Sequence, residues 1–190
     1  MYKDKLFESY PYIETDEIII RKTEISEFDE WYKVSQNTDY EYTPSKGKKL
    51  SKDAAYNVLS KHYDRDFQKH KTIFLGIYLK ENDNRLVGKV EIFDVDIKID
   101  MLTIGYTLSK EYEGKGIATK AVAALVKYLF KEINVNRIQG FVMTQNIKSS
   151  RVLLKNGFLK EGIIREGNYW TGHGIINLEL YSILKGEYLK

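Results

Sequence analysis

Ile104-Gly-Tyr-Thr-Leu-Ser-Lys-Glu-Tyr-Glu-Gly-Lys-Gly-Ile-Ala-Thr-Lys-Ala121 changes its hydrophobic period part-way along. Leu102, Ile104, Tyr106 and Leu108 alternate with Met101, Thr103, Gly105 and Thr107, the period of a strand. Beyond Gly116, residues Ile117, Ala121, Leu125 and Leu129, joined by Ala118, Val122 and Val126, recur on one helical face. A strand therefore runs through a short loop, Ser109 to Lys115, into a long helix. Gly114 and Gly116 at the junction let the backbone turn tightly and let a ligand approach the amides. The first helical N–H groups have no partner inside the helix and lie at the positive end of its dipole, so the junction suits a phosphate or pyrophosphate.

Upstream, Glu17-Ile-Ile-Ile-Arg-Lys22 reads as a first strand. A helix near Ser26 to Gln36 follows, built on Phe28, Trp31, Tyr32 and Val34. Asp39 to Leu50 is polar, holds Pro44 and Gly47, and reads as a loop placed to cover a site. Ser51 opens a second amphipathic helix through about Gln68. Thr72 to Leu79 and Arg85 to Asp94 read as strands around the turn Glu81-Asn-Asp-Asn84. With the strand around Ile104, after Ile97-Lys-Ile-Asp100, three antiparallel-type strands precede the central helix. Downstream come a strand, Arg137 to Met143, and a helix, Ile147 to Lys155, stopped by Asn156-Gly157. Phe158 to Glu166 and Ile175 to Leu184 complete the chain as strands joined across Gly167, Gly172 and Gly174. The order implies an α+β (mixed α/β) fold with helices on both faces of the sheet.

The 190 residues suffice for a single domain, 1–190, with a buried core. The absence of Cys excludes disulfides, thiolate metal sites and a cysteine nucleophile. A formal charge of +3, with Lys interleaved among Asp and Glu, gives little reason to expect nucleic acid as a partner. The fifteen Tyr follow no pattern of stacking platforms and read as core or rim residues. No apolar run has signal-peptide or membrane-spanning character, so a cytoplasmic protein with no membrane partner is expected. His62 and His70 have no third ligand nearby and read as surface or helix-terminal residues, and no metal site is expected.

Two other phosphate loops fail on the residues. A Walker loop needs Gly-Lys-Ser/Thr after its spacer, and a dinucleotide fingerprint needs a third Gly where Thr119 stands. Six segments, taken in order, are specific as a set: Gly105-Tyr106-x-Leu108, Glu111-Tyr-Glu-Gly-Lys-Gly-Ile-Ala-Thr119, Asn146-Ile-Lys-Ser149, Leu154-Lys-Asn-Gly-Phe158, Glu161-Gly162 and Asn177-Leu-Glu-Leu-Tyr181. In order and spacing they resemble the GNAT acetyltransferase superfamily, and within it the ribosomal-protein N-terminal acetyltransferases of RimJ/RimL type. The resemblance implies a central, mostly antiparallel sheet of about seven strands, with a splayed pair forming an acetyl-CoA cleft.

Carried over residue by residue, the resemblance implies that Glu111, Gly114, Lys115 and Gly116, with Ile117, Ala118 and Thr119, hold the pyrophosphate of acetyl-CoA through backbone N–H groups. Lys110 and Lys115 flank that loop. Glu111 and Glu113 stand where the family often has Arg or Gln, and both side chains are expected to point outward. Ile104, Tyr106 and Leu108 would pair their backbone with the pantetheine arm as a neighbouring strand would. Asn146 is similar to the family's cofactor-holding Asn, and it is equally suited to a helix N-cap.

Acetyl transfer to an amine releases a thiolate, which a proton donor helps to leave. Many GNAT enzymes place a Tyr where this chain has Leu153, whereas RimJ/RimL-like proteins have a Ser at the position of Ser149. Ser149 is therefore the candidate donor, against a purely local hydrogen bond in a first helical turn; Ser150 is the weaker stand-in. Glu91, mid-strand, is the candidate general base, against an exposed Glu on a sheet face. Glu41 and Tyr42 are candidate acceptor contacts, and His173 reads as a turn residue. Lys120 and Asn177 depart from acids common in the family. Direct transfer to an amine-bearing acceptor, a protein N-terminus or a small amine such as a polyamine or aminoglycoside, is the leading function. A CoA-binding regulatory protein without transfer and a nucleotide-binding domain are the alternatives. Apolar positions on the final strands suit a homodimer or a core.

Overall fold

The computed structural model describes residues 5–38, 41–44 and 49–189. Eight strands form one sheet in the order β1-β2-β3-β4-β5-β6-β8-β7. They are β1 (Ile13–Glu14), β2 (Ile18–Arg21), β3 (Ile73–Leu79), β4 (Arg85–Asp96), β5 (Met101–Leu108), β6 (Arg137–Met143), β7 (Leu159–Trp170) and β8 (Gly174–Leu184). Only β5 and β6 pair in parallel; every other neighbour pair is antiparallel. The parallel step is forced by the chain, because the long helix between β5 and β6 returns it to the same end of the sheet.

The expected count of about seven strands becomes eight because β1, two residues paired with Ile19 and Ile20, is too short to show a period. Glu81–Asn84 forms a single helical turn rather than a plain reversal. β7 continues past the expected end at Glu166 to Trp170, with irregular register between Lys160 and Gly162 and between Ile164 and Asn168. Ile97–Asp100 is the turn joining β4 to β5.

Alternation along the strands sends one set of residues to each face. On one face α1 (Phe28–Gln36) and α2 pack Phe28, Trp31, Ala55, Leu59 and Tyr63 against Ile19, Tyr78 and Leu86. α2 spans 52–68, with Val58–His62 wound as a wider π turn. On the other face α3 (Ile117–Tyr128, continued by the π turn Leu129–Ile133) buries Ala121, Val122, Leu125 and Leu129 against Ile18, Ile77, Val90, Ile92 and Leu102. α4 (Ile147–Lys155) adds Leu153 to this second face and ends where Gly157 takes a φ of +81°. Each buried Leu or Ile contributes about 1.5–3 kcal/mol relative to an exposed one, which is why the period change after Gly116 decides the fold. No described helix is long and apolar enough to cross a membrane.

Candidate active site

β5 and β6 pair only at Met101↔Arg137, Leu102↔Ile138 and Thr103↔Gln139. Each strand then holds to its other neighbour, β5 to β4 as far as Leu108 and β6 to β8 as far as Met143. From Ile104 and Gly140 onward the two therefore diverge and leave a wedge in mid-sheet. The Ile104 and Leu108 side chains are buried in the core, so toward the wedge these positions offer backbone groups. An extended ligand arm can pair there as an added strand does.

The wide end of the wedge meets the loop before α3. Gly114 and Gly116 take φ of +75° and +79°, and a Cβ at either would meet nothing within 4 Å. Glycine is thus required by backbone conformation, while the space in front of the loop stays open. Ile117, Ala118 and Thr119 supply first-turn N–H groups, since the helical ladder starts with Lys120 N–H donating to Gly116 C=O. Lys115 Nζ lies 5.3 Å from the Tyr112 ring centroid. Of the two acids expected to point outward, Glu113 instead accepts from Lys148 of α4 at 2.8 Å. Glu111 Oε1 lies 3.4 Å from Ser109 Oγ.

One wall of the wedge is built by α4. Asn146 Oδ1 accepts from Ser149 N–H at 3.1 Å, so Asn146 caps the helix. Its amide nitrogen remains a donor for a ligand. The Tyr106 hydroxyl lies 2.8 Å from Ser149 Oγ and 2.9 Å from the Ser149 carbonyl oxygen. Burial pushes the Tyr106 phenol well above its ordinary pKa, so it stays protonated. Sequence reasoning assigned Tyr106 for its backbone and missed its side chain. Ser150 is engaged elsewhere, with Oγ 3.2 Å from Glu179.

Glu91 sits opposite Gly105 in the ladder. Its Oε1 lies 2.6 Å from where a Gly105 Cβ would be, so the missing side chain lets the carboxylate lie across β5. Lys89 Nζ is 3.7 Å from Glu91 Oε2. By alternation Glu91 shares the α1/α2 face, whereas Tyr106 shares the α3/α4 face with Val90. The structure therefore does not bring Glu91 and Ser149 together on one face; the sheet divides them, and the wedge is the opening between.

On the Glu91 side, Met143, Trp170, Ile176 and Leu178 form a small apolar cluster with Phe141 against it. Two backbone bonds hold the segment after α1: Lys110 N–H donates to Asn37 C=O at 3.0 Å just before the loop, and Thr171 N–H donates to Pro44 C=O at 3.0 Å within it. Asp39, Tyr40 and 45–48 of the segment expected to cover a site lie outside the described residues. Glu41 and Tyr42 are exposed there. Beside the apolar cluster, a cavity of about 420 Å³ is lined by Met143, Thr144, Gln145, Glu166, His173 and Asn177 among others. His173 Nε2 is buried with no hydrogen-bond partner among the described residues.

The two departures carry structural contacts. Lys120 pairs with Glu17, and Asn177 Oδ1 accepts from Glu166 N–H at 2.7 Å, where Glu166 has a φ of +49°. His70 stacks on Phe7 at 4.7 Å between ring centroids.

The acetyltransferase (GNAT) domain family matches residues 17–159. "Probable N-acetyltransferase YjcK" of Bacillus subtilis is 39% identical over 120 residues, covering 60% of this chain and 65% of that protein. The ribosomal-protein-serine acetyltransferase of Escherichia coli is 23% identical over 100 residues, covering 53% of this chain and 56% of that protein. The chain thus spans less than two thirds of the length of these two curated relatives. A crystal structure of an acetyltransferase (GNAT family) from Bacillus anthracis superposes with a TM-score of 0.78 at 25% identity, covering 93% of this chain and all of that one. GNAT acetyltransferases use acetyl-CoA. On the family match and on a fold shared nearly end to end, this chain belongs to the GNAT acetyltransferase family.

Proposed function

We propose that this chain transfers an acetyl group from acetyl-CoA to a primary amine, directly and in a ternary complex, with a protein N-terminal α-amine as the acceptor and the cytoplasm as its place of action. The observation that carries the reading is the parting of β5 from β6 after Thr103 and Gln139, with the Gly116-started helix at its open end and Ser149 at its wall. Glu111, Gly114, Lys115, Gly116, Ile117, Ala118 and Thr119 would hold the pyrophosphate, the Ile104, Tyr106 and Leu108 backbone the pantetheine arm, and Asn146 its amide.

In the transfer, the amine nitrogen bonds to the thioester carbon as the carbon–sulfur bond breaks. The nitrogen gives up a proton toward Glu91, directly or through a water, and Glu91 releases it to solvent; the thiolate sulfur takes the Ser149 Oγ proton, and Oγ is reprotonated from solvent. One proton passes from nitrogen to sulfur overall and none is consumed. With no Cys in the chain, an acetyl-cysteine intermediate has no nucleophile. The α-amine is favoured because its pKa, about 7.7–8.0, leaves a large neutral fraction near pH 7, whereas a Lys amine at about 10.4 needs far more help. The E. coli relative named for a ribosomal protein supports that acceptor class.

The test is thiol release from acetyl-CoA, read colorimetrically, with N-terminal peptides, polyamines and aminoglycosides offered separately. Release with peptides alone is the expected result. Release only with polyamines or aminoglycosides moves the acceptor to a small amine. Silence with every class, with acetyl-CoA raising the melting temperature, makes the chain a CoA-binding protein without transfer.

A further inference from the structure

Tyr106 and Ser149 stand 43 positions apart in sequence, and no shared element holds them together. Their contact is made between β5 and the first turn of α4, at the wall of the wedge. The Tyr106 oxygen faces two groups of Ser149: the carbonyl oxygen, which can only accept, and Oγ, which can do either. A phenol has one proton, so two arrangements exist. When Tyr106 donates to the carbonyl, Ser149 Oγ–H can donate to the Tyr106 oxygen and is held. When Tyr106 donates to Oγ, the Ser149 proton is released to point at another acceptor.

We propose that Tyr106 is the positioning residue for Ser149, holding the Ser149 proton in the resting site and freeing it, by turning its own O–H onto Oγ, when a thiolate forms beside it. A developing thiolate is a charged acceptor and outcompetes a neutral phenol oxygen for the Ser149 proton. As that proton leaves, the negative charge building on Oγ is met by the Tyr106 O–H, already within hydrogen-bond distance and costing no reorganisation of the backbone. Oγ regains a proton from solvent water at the part-exposed Ser149, so Tyr106 ends the cycle with its own proton and neither a phenolate nor an alkoxide remains. The inference rests on Ser149 being the donor. It adds why a serine with no adjacent base or acid can serve: its hydroxyl is oriented before the thioester arrives. The arrangement also gives β5 a side-chain role in the reaction beyond its backbone pairing with the arm.

The experiment is a double-mutant cycle with Tyr106→Phe, Ser149→Ala and the double variant, reading kcat and the KM for acetyl-CoA on an active acceptor. Phenylalanine keeps the ring that packs on the core, and far-UV circular dichroism with the retained KM reports an intact fold. The expected result is a kcat loss of about tenfold for Tyr106→Phe and about a hundredfold for Ser149→Ala, with KM unchanged in both. The double variant should be no slower than Ser149→Ala alone, because the tyrosine acts only through the serine. If Ser149→Ala is slow while Tyr106→Phe is as fast as the parent, the positioning role is overturned and Ser149 stands as donor. If Ser149→Ala keeps full turnover, the donor assignment itself fails and the inference falls with it.

Discussion

The Lys148 ammonium of α4 lies 2.8 Å from the Glu113 carboxylate in the loop that leads into α3. The pair bridges the two walls of the wedge at its open end, and it turns an acid that would repel a pyrophosphate into half of a neutral pair. Lys148→Ala should therefore raise the KM for acetyl-CoA while leaving kcat nearly unchanged. The Lys148 side chain is largely exposed, so the effect belongs to the range of about 0.2–1 kcal/mol, up to roughly fivefold. Initial-rate measurements at low and high salt check it; the difference should shrink as salt rises. An unchanged KM would mean that Glu113 does not face the cofactor.

Gly116→Ala should weaken acetyl-CoA binding and cost stability together. An L-residue at a φ of +79° is strained, by about 1–2 kcal/mol, and no neighbour lies close enough to add a clash. Thermal unfolding with and without acetyl-CoA separates the two effects. Equal downward shifts in both states would show that the turn matters to folding alone.

Glu91→Gln should lower kcat by about a hundredfold, the lower end of the range for a lost general base, with the acetyl-CoA KM retained. Gly105→Ala should lower it as well, because a Cβ there would come within 2.6 Å of Glu91 Oε1 and displace the carboxylate. Steady-state kinetics of both variants is the check. Full activity in Glu91→Gln would make Glu91 an exposed residue of the sheet face.

Glu161 is held well below the ordinary carboxylate range, at about 2, by Arg137, which meets it with two nitrogens at 2.6 and 2.7 Å, and then by Ser182. A depressed carboxyl pKa stabilises the fold above its unfolded value of 4.5, and that stability is lost as the pH falls from there toward about 2. The Glu161 side chain is 38% exposed, so solvent screening reduces the gain to about 1 kcal/mol. Glu161→Gln should lower the urea midpoint near pH 7 and converge on the parent at acid pH. A constant difference across that window would contradict the assignment.

The change of period around Gly116, the cap at Asn146 and the stop at Asn156-Gly157 were legible because each is a local rule acting on neighbouring residues. The parting of β5 from β6 was not legible in the residues themselves, since alternation fixes which face a side chain takes and says nothing of where pairing ends; it came from the family resemblance. Tyr106–Ser149 and Lys148–Glu113 join residues that are remote in sequence, and no spacing encodes them. β7 outran its expected end because the irregular register around Glu161 and Gly167 breaks the alternation that marks a strand. Lys120 and Asn177 looked like departures of function and are, in the fold, partners of Glu17 and the Glu166 backbone.

The most direct measurement is amide hydrogen exchange with and without acetyl-CoA, followed at peptides covering 104–108 and 114–119. Seating of the cofactor in the wedge predicts slower exchange at both, with β2 and β3 unchanged. Protection at 114–119 alone, or at neither segment while the protein still binds acetyl-CoA, would contradict the placement of the pantetheine arm between β5 and β6.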